Sequence, residues 1–271
     1  MDSDHEGDEV STGGLFADPE GFYPASPPPT TQEYVRKTNG AVITLHLVGS
    51  SPSLEANHLW NGSRVMAEHF EDHPEEVRGR TVLEIGAGAG LPSIVAAALD
   101  ARKVVVTDYP DPEIVATMWK NIRGCPDLIS DDETGELKPI VADGYIWGAD
   151  AAPLLAHLDD SVGEEKKFDV VILADLLFRH SGHTSMVNTI EKTLSKRRGS
   201  KAFVVFSSYR PWLRHKDLVF FDIAREHGFV VEKILERKMD RPLFKDDPGD
   251  VEVLKTVTGW EIRWPEEVAE E

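Results

Sequence analysis

The chain has 271 residues, of which 41% are apolar and 28% charged, and this composition predicts a soluble domain with a sizeable buried core. Its net charge of −19 disfavours nucleic acid and anionic membranes as partners and favours a basic protein, although solubility alone is an alternative explanation. The one cysteine, Cys125, excludes an intrachain disulfide, and no apolar run approaches the ~18 residues of a membrane helix, so we expect a cytoplasmic protein.

Residues 1–35 differ in composition from the rest of the chain. The segment holds eight acidic residues, no lysine or arginine, and a proline cluster, so it cannot bury enough apolar surface to fold alone. It nevertheless places three aromatic residues within positions 16–23, and we interpret it as an extended arm that docks on its own domain or on a substrate. We expect one domain over residues 36–265 and a loose acidic tail over 266–271.

Hydrophobic periodicity predicts strands that alternate with helices along this domain. Such alternation indicates an α/β fold, with a mostly parallel sheet of seven strands from residue 81 onwards and helices on both faces. The predicted strands are 40–48, 81–85, 103–107, 137–142, 168–174, 202–206, 230–237 and one within 251–264, and the predicted helices are 53–70, 93–99, 110–122, 182–195 and 212–227.

The segment 81–92, TVLEIGAGAGLP, reads as a buried strand, a glycine turn and the start of a helix. A dinucleotide site requires Gly-x-Gly-x-x-Gly, but Leu91 stands where the third glycine of that pattern would be. The spacing is instead Glu84-x-Gly86-x-Gly88-x-Gly90. It resembles motif I of the class I methyltransferases that use S-adenosylmethionine (SAM), where the loop faces the amino-acid half of the cofactor. A strand-helix turn without a ligand is the alternative.

Polar and aromatic residues follow the next three strands of the predicted sheet. Asp108, 20 residues beyond Gly88, suits a contact to two ribose hydroxyls, with a helix cap as the alternative. Asp143 and Trp147 follow the third strand of the sheet, where they could hydrogen-bond to and stack on an adenine. Asp175 follows the fourth strand. Because parallel strands end at one edge of the sheet, the sequence predicts a single ligand site there.

The whole chain resembles the family 16 lysine and N-terminal methyltransferases, which have the Rossmann-like class I fold. Within them it resembles the fungal branch that modifies translation elongation factor 1-alpha at its N-terminus and an adjacent lysine. The resemblance is carried by the N-terminal arm and by LWNGSRVMAEHF, VLEIGAGAGLPS, VVVTDYPD, GYIWG and ILADLLFRH. It implies SAM as the cofactor, with contacts from Trp60, Gly86, Ala87, Gly88, Asp108, Trp147 and Ala174. Without the resemblance, core packing would be the alternative for Trp60, because a tryptophan is more often part of the core than a ligand contact.

Asp175 is the predicted catalytic residue. Methyl transfer needs a neutral amine held in line with the methyl group, and Asp175 could orient that amine and take up a proton's charge; a purely structural aspartate is the alternative. The family usually has a tyrosine where this chain has Phe178, so no phenolic hydroxyl is available there. Residues 209–212 could hold a peptide or pack in the core. We expect no metal.

Three functions remain open at this stage. The first is a protein methyltransferase acting on an N-terminal amine, a lysine, or both. The second is a small-molecule amine (nicotinamide-type) N-methyltransferase, which would want a closed pocket over the cofactor. The third is a SAM-binding interaction module without turnover, against which the intact glycine loop argues. We favour the first, acting as a monomer on a basic protein, for which the resemblance implies translation elongation factor 1-alpha.

Overall fold

The computed structural model describes residues 30–49, 55–129, 136–159, 166–244 and 247–268. Most of the predicted arm, up to residue 29, therefore lies outside the described residues, as do the last three residues of the tail. The last six residues assigned to the arm, Thr30–Val35, form a strand that pairs antiparallel with Val42–Leu47. Residues 30–35, which the sequence analysis assigned to the arm, are therefore part of a paired strand.

Strands and helices alternate along most of the described chain. The strands are β1 Thr30–Val35, β2 Val42–Leu47, β3 Thr81–Ile85, β4 Lys103–Asp108, β5 Ile140–Gly144, β6 Val170–Ala174, β7 Lys201–Ser207, β8 Val230–Lys238 and β9 Thr256–Arg263. The helices are α1 Asn61–Asp72, α2 Leu91–Ala98, α3 Pro112–Arg123, α4 Ala152–Leu155, α5 His183–Thr193, α6 Arg214–Glu226 and α7 Val251–Leu254. None of these helices is long and apolar enough to span a membrane.

Seven strands form the main sheet, in the order β5-β4-β3-β6-β7-β9-β8. The first five strands in this order are parallel, and β9 runs antiparallel to both β7 and β8. From β3 the chain moves outward to β4 and β5, then returns to the other side of β3 as β6. This reversal creates a crevice at the carboxyl ends of β3 and β6, where open α/β sheets bind ligands. The predicted fold class is confirmed.

The sheet is covered on both faces, as the apolar strands require. Val82 on β3 belongs to a buried cluster that includes residues of α1, α2 and α3, whereas the next residue, Leu83, belongs to a cluster that includes residues of α4, α5 and α6. On β6, Ile172 and Leu173 divide between the two clusters in the same way. Successive side chains of a strand point to opposite faces, so each central strand must be apolar throughout.

The first helix differs most from its prediction. The apolar pattern predicts a helix from residue 53, but α1 begins at Asn61, and Ser53 lies outside the described residues. Two distant groups hold its first turn: the Asn61 N–H donates to the Tyr209 hydroxyl at 3.3 Å, and the Gly62 N–H donates to Asp175. Contacts between segments far apart in the sequence therefore set where this helix begins.

Candidate active site

A cavity of about 460 Å³ opens at the carboxyl ends of β3, β4 and β6. This volume lies within the usual range of small-molecule sites, roughly 300–1,000 Å³. All eight site residues predicted from the sequence line it, although the role of each stays a prediction. They are Trp60, Gly86, Ala87, Gly88, Asp108, Trp147, Ala174 and Asp175.

The glycine loop between β3 and α2 forms one wall of the cavity. Gly86, Gly88 and Gly90 have φ angles of 63°, 55° and 77°, a region that other residues rarely adopt. Gly86 is further restricted, because a Cβ there would lie 2.7 Å from the side chain of Leu176 and 3.0 Å from that of Trp147. A side chain at this position would occupy space that borders the cavity, so the glycine keeps the loop backbone accessible.

Glu84 holds the two ends of this loop together from within the protein. Its side chain is fully buried, and Oε2 accepts hydrogen bonds from the Ser93 backbone N–H at 3.0 Å and from the Ser93 hydroxyl at 2.5 Å. Burial raises the pKa of Glu84 to about 8. Glu84, the glutamate of the motif, therefore links β3 to the first turn of α2 behind the loop.

Asp108 contacts the glycine loop directly from the end of β4. Its Oδ2 accepts from the Gly88 N–H at 2.7 Å, and its Oδ1 accepts from the Tyr109 N–H at 2.6 Å. The following helix, α3, is capped instead by Asp111, which accepts from Glu113 N–H at 2.8 Å. The helix-cap alternative for Asp108 is therefore wrong. Each of its oxygens keeps one lone pair, enough to accept two further hydroxyl protons.

Trp147 lies between the glycine loop and the turn that precedes α5. A Cβ on Gly182 would approach its ring to 3.1 Å, and a Cβ on Gly86 would approach it to 3.0 Å. The indole is half-buried and lines the cavity, so it offers a flat apolar wall. Asp143, expected beside it, is not among the described residues that line the cavity, and its carboxylate contacts His157 at 2.9 Å.

Asp175 ties together three segments at the base of the cavity. Its Oδ1 accepts from Ser207 N–H at 2.8 Å, and its Oδ2 accepts from Gly62 N–H and from the Tyr209 hydroxyl at 3.4 Å. Its backbone adopts a φ of 55°, an uncommon conformation for a non-glycine residue. The side chain is almost fully buried, and this burial raises the pKa of Asp175 to about 7.

A cluster of aromatic rings stands at the mouth of the cavity, and we call it the mouth cluster. It consists of Trp60, Phe178, Tyr209 and Phe244. The Trp60 ring stacks on Phe178 at 5.8 Å between centroids and meets Tyr209 edge-on at 4.8 Å. Neither buried cluster of the described chain includes Trp60, so the core alternative for this residue is wrong. Trp212, the other aromatic expected here, is 55% exposed.

Other described residues that line the cavity were missed by reasoning from the sequence. The turn between β6 and α5 contributes Leu176, Arg179 and Ser181, and the first turn of α5 contributes Ser185. These residues could have been suspected because they follow a strand at the same edge. Glu55, Ala56 and His58 also line the cavity, and no sequence signal marked them.

Two histidine pairs have spacings that occur in metal sites, and both spacings escaped the sequence reasoning. His180 and His183 precede and begin α5, but His180 Nε2 contacts Asp217 at 2.7 Å and His183 Nε2 contacts the Leu177 carbonyl at 2.7 Å. The second pair is His69 and His73 on and after α1. No group of three or more potential metal ligands occurs among the residues that the structure describes.

The sheet topology and the glycine, aspartate and tryptophan contacts define a class I methyltransferase. Residues 44–227 match the model of a family described as lysine methyltransferase, and the chain belongs to that family. It is 65% identical over 260 residues to the protein N-terminal and lysine N-methyltransferase efm7 of Neurospora crassa, covering 96% of this chain and 91% of that protein. The protein of the same name in Gibberella zeae is 54% identical over 263 residues, with 94% and 96% covered.

Solved structures agree with this fold. A Pyrococcus horikoshii protein assigned as a transferase superposes with a TM-score of 0.50 at 16% identity, over 87% of this chain and 73% of that one. A Streptococcus mutans protein assigned as a SAM-dependent methyltransferase also has a TM-score of 0.50, at 10% identity, over 87% of this chain and 56% of that one. At such low identity these similarities concern the fold alone.

The methyl donor of this enzyme is S-adenosylmethionine. The cavity has the chemistry that this cofactor requires: a loop of exposed backbone, a carboxylate with free lone pairs and a flat aromatic wall. The sulfonium is cationic, and the acidic side chains Asp108 and Asp175 both line the cavity. The described residues therefore fit the cofactor.

Proposed function

We propose that this enzyme methylates the N-terminal amine and a lysine of a protein, and that the protein is translation elongation factor 1-alpha. One observation carries the proposal: a single cavity joins the glycine loop, Asp108 and Trp147 to Asp175 and to an aromatic mouth. Such a site has one part suited to the donor and an open end suited to an amine on a chain. The names of the Neurospora and Gibberella relatives support the same acceptor amines.

The donor part of the site works by positioning. SAM supplies a methyl group on a sulfonium, which becomes a neutral thioether when the methyl leaves. The backbone of Gly86–Gly88 would take the amino-acid half of the cofactor, Asp108 would accept hydrogen bonds from its ribose hydroxyls, and Trp147 would stack on its adenine. Ala174 allows close approach at the end of β6, where a larger side chain would intrude on the cavity. Trp60 borders the donor from the side of the mouth.

The acceptor part must present a neutral amine. An N-terminal amine has a pKa near ~8 and a lysine one near ~10.4, so a lysine needs more help to lose its proton. Asp175 has two roles in this proposal. It fixes the start of α1 and Tyr209 through Gly62 N–H and the tyrosine hydroxyl, and its remaining lone pair orients the amine. Phe178 forms an apolar wall without a hydroxyl.

The charge of the chain supports a basic acceptor. The first 29 residues carry seven acidic side chains and no lysine or arginine, and positions 131–133 are all acidic. An acidic field raises the encounter rate with a basic partner. We propose that the enzyme acts as a monomer in the cytoplasm on such a partner.

The test uses the full-length enzyme with isotopically labelled SAM and elongation factor 1-alpha from cells that lack this enzyme. The labelled residues are then identified by mass spectrometry. We expect label on the N-terminal amine and on a lysine, with loss of the first when the N-terminus is acetylated beforehand. Nicotinamide serves as the small-amine comparison. Label on nicotinamide but on no protein would refute the proposal, and so would SAM binding without transfer to either.

A further inference from the structure

The outermost ring of the mouth cluster, Phe244, comes from the connection between β8 and α7. This connection runs from residue 239 to residue 250. The Phe244 ring meets that of Trp60 edge-on at 5.6 Å and that of Tyr209 at 6.2 Å, and it lies 4.9 Å from the ring of His58. Edge-to-face contacts of this kind fix the orientation of both rings. Phe244 thus packs against Trp60, which lines the cavity, and against Tyr209, whose hydroxyl contacts Asp175.

The connection is also held against this edge of the sheet near its other end. A Cβ on Gly249 would lie 3.0 Å from the side chain of Pro211, which directly follows the loop that contains Tyr209. Gly249 has a φ of 122°, which other residues rarely adopt. Asp250 then caps α7 by accepting from Glu252 N–H at 2.8 Å. The described ends of the connection are therefore fixed beside the mouth.

The position of Phe244 in the sequence separates it from the rest of the site. The match to the family model ends at residue 227, so it includes the eight predicted site residues but not Phe244. Phe244 itself is not among the described residues that line the cavity. The donor site is thus built within the segment shared with lysine methyltransferases, and the outer support of the mouth is built beyond it.

We infer that Phe244 is a positioning residue for the acceptor: it holds Trp60 and Tyr209 so that the mouth admits an amine carried on a polypeptide in preference to a free small amine. This inference rests on the proposed function. Without the Phe244 ring, Trp60 and Tyr209 lose edge-on contacts on their outer side and can reorient. A polypeptide spans the mouth and depends on this wall, whereas a small amine passes entirely into the cavity.

The experiment compares Phe244→Ala and Phe244→Tyr with a control on the same hairpin, Ile234→Ala. Ile234 lies on β8, is 37% exposed and has an aliphatic side chain, so it tests truncation of an apolar group away from the mouth. For each variant we would measure the melting temperature, the SAM dissociation constant, and kcat/KM for elongation factor 1-alpha and for nicotinamide.

Phe244→Ala should lower kcat/KM for the protein about tenfold, mainly through KM, because at least two aromatic contacts are lost. The SAM dissociation constant should rise by much less than this factor, although Trp60 also borders the donor. The values of kcat/KM for nicotinamide and of the melting temperature should stay near those of the wild type, and Phe244→Tyr should retain the protein activity. Unchanged kcat/KM for the protein would overturn the inference, and so would a loss of SAM affinity that equals the loss of kcat/KM. If the wild-type enzyme methylates no protein, the proposed function itself fails.

Discussion

Replacing Asp175 with asparagine separates the catalytic and structural roles of this residue. Asparagine keeps the shape of the side chain and one oxygen, but its amide nitrogen must face either Ser207 N–H or Gly62 N–H, both of which now donate to the carboxylate. A donor would then face a donor, and one buried N–H would lose its partner. Such a loss costs about 1–3 kcal/mol of unfolding free energy, and about 2–4 °C in melting temperature per kcal/mol in a domain of this size.

The same strand offers a matched control. Asp169 immediately precedes β6 as Asp175 immediately follows it, it is also buried, and its Oδ2 accepts from Thr81 N–H at 2.9 Å. Asp169→Asn should lower the stability at the opposite end of the strand, because it removes the charge that faces Arg102 at 3.5 Å and Arg197 at 3.7 Å. If Asp175 orients the acceptor amine, Asp175→Asn alone should lower kcat, by about 100-fold or more as for a residue that handles a proton.

The assay pairs thermal unfolding with single-turnover methylation of the protein acceptor at saturating SAM, below the melting temperature of both variants. Saturating SAM removes any effect on donor affinity, so the rate reports the acceptor side. Equal rates for the two variants would refute a catalytic role for Asp175. That result would leave this carboxylate as the anchor of α1 and Tyr209.

Four further outcomes are expected. Trp147→Ala should weaken SAM binding by about 1–3 kcal/mol, by analogy with base–aromatic stacking, and Asp108→Ala should weaken it as well. If calorimetric titration gave the wild-type affinity for both variants, the adenosine part of SAM would have to bind elsewhere. Burial raises the pKa of Asp175 to about 7, above ~3.9 in the unfolded chain. The folded state therefore holds this proton more tightly, and the resulting stabilisation is complete below about pH 4 and lost as the pH rises through about 7. As the pH rises from about 4 to about 7, the melting temperature of the wild type should therefore fall relative to that of Asp175→Asn. Parallel curves of melting temperature against pH for the two proteins would contradict the raised pKa of Asp175. Rising salt should lower kcat/KM for the basic protein acceptor but leave that for nicotinamide unchanged, because charges are screened within ~8 Å at physiological ionic strength. If kcat/KM for the protein did not change with salt, solubility would remain as the explanation of the negative charge. Deleting residues 1–29 should leave the melting temperature and SAM affinity unchanged but lower kcat/KM for the protein, and equal turnover would mean that the arm takes no part in recognising it.

The donor half of the site could be predicted because it is encoded locally. Apart from Trp60, each of its residues ends or follows a strand, and the strands are recognisable from short apolar runs. Parallel strands end at the same edge, so four separate segments of sequence converge without any knowledge of their order in the sheet. The spacing Glu84-x-Gly86-x-Gly88-x-Gly90 added the loop conformation, since only glycine adopts the observed positive φ angles readily.

The sequence singled out Asp175, Phe178 and residues 209–212 for the acceptor half, but it could not predict their contacts, because these join distant segments. Gly62 meets Asp175 across 113 residues, and Asn61 meets Tyr209 across 148 residues. No periodicity within α1 reports these bonds, and the apolar pattern therefore placed the start of that helix too early. Phe244 gave no signal either, since a single phenylalanine between two strands is compatible with almost any packing.

The separation of the donor half of the site from the acceptor half affects how the enzyme's preference for an acceptor can change. The cofactor contacts depend on the edge of a parallel sheet buried on both faces, so a substitution there disturbs the core as well as the site. The mouth takes one of its four rings, Phe244, from the connection of the antiparallel hairpin β8–β9 at the border of the sheet, and Gly249 of this connection packs against Pro211. Substitutions in that connection alter ring packing at a half-buried surface and leave the sheet intact. Acceptor preference can therefore vary through the hairpin while the donor site stays unchanged, and the comparison of Phe244→Ala with Asp108→Ala measures that separation directly.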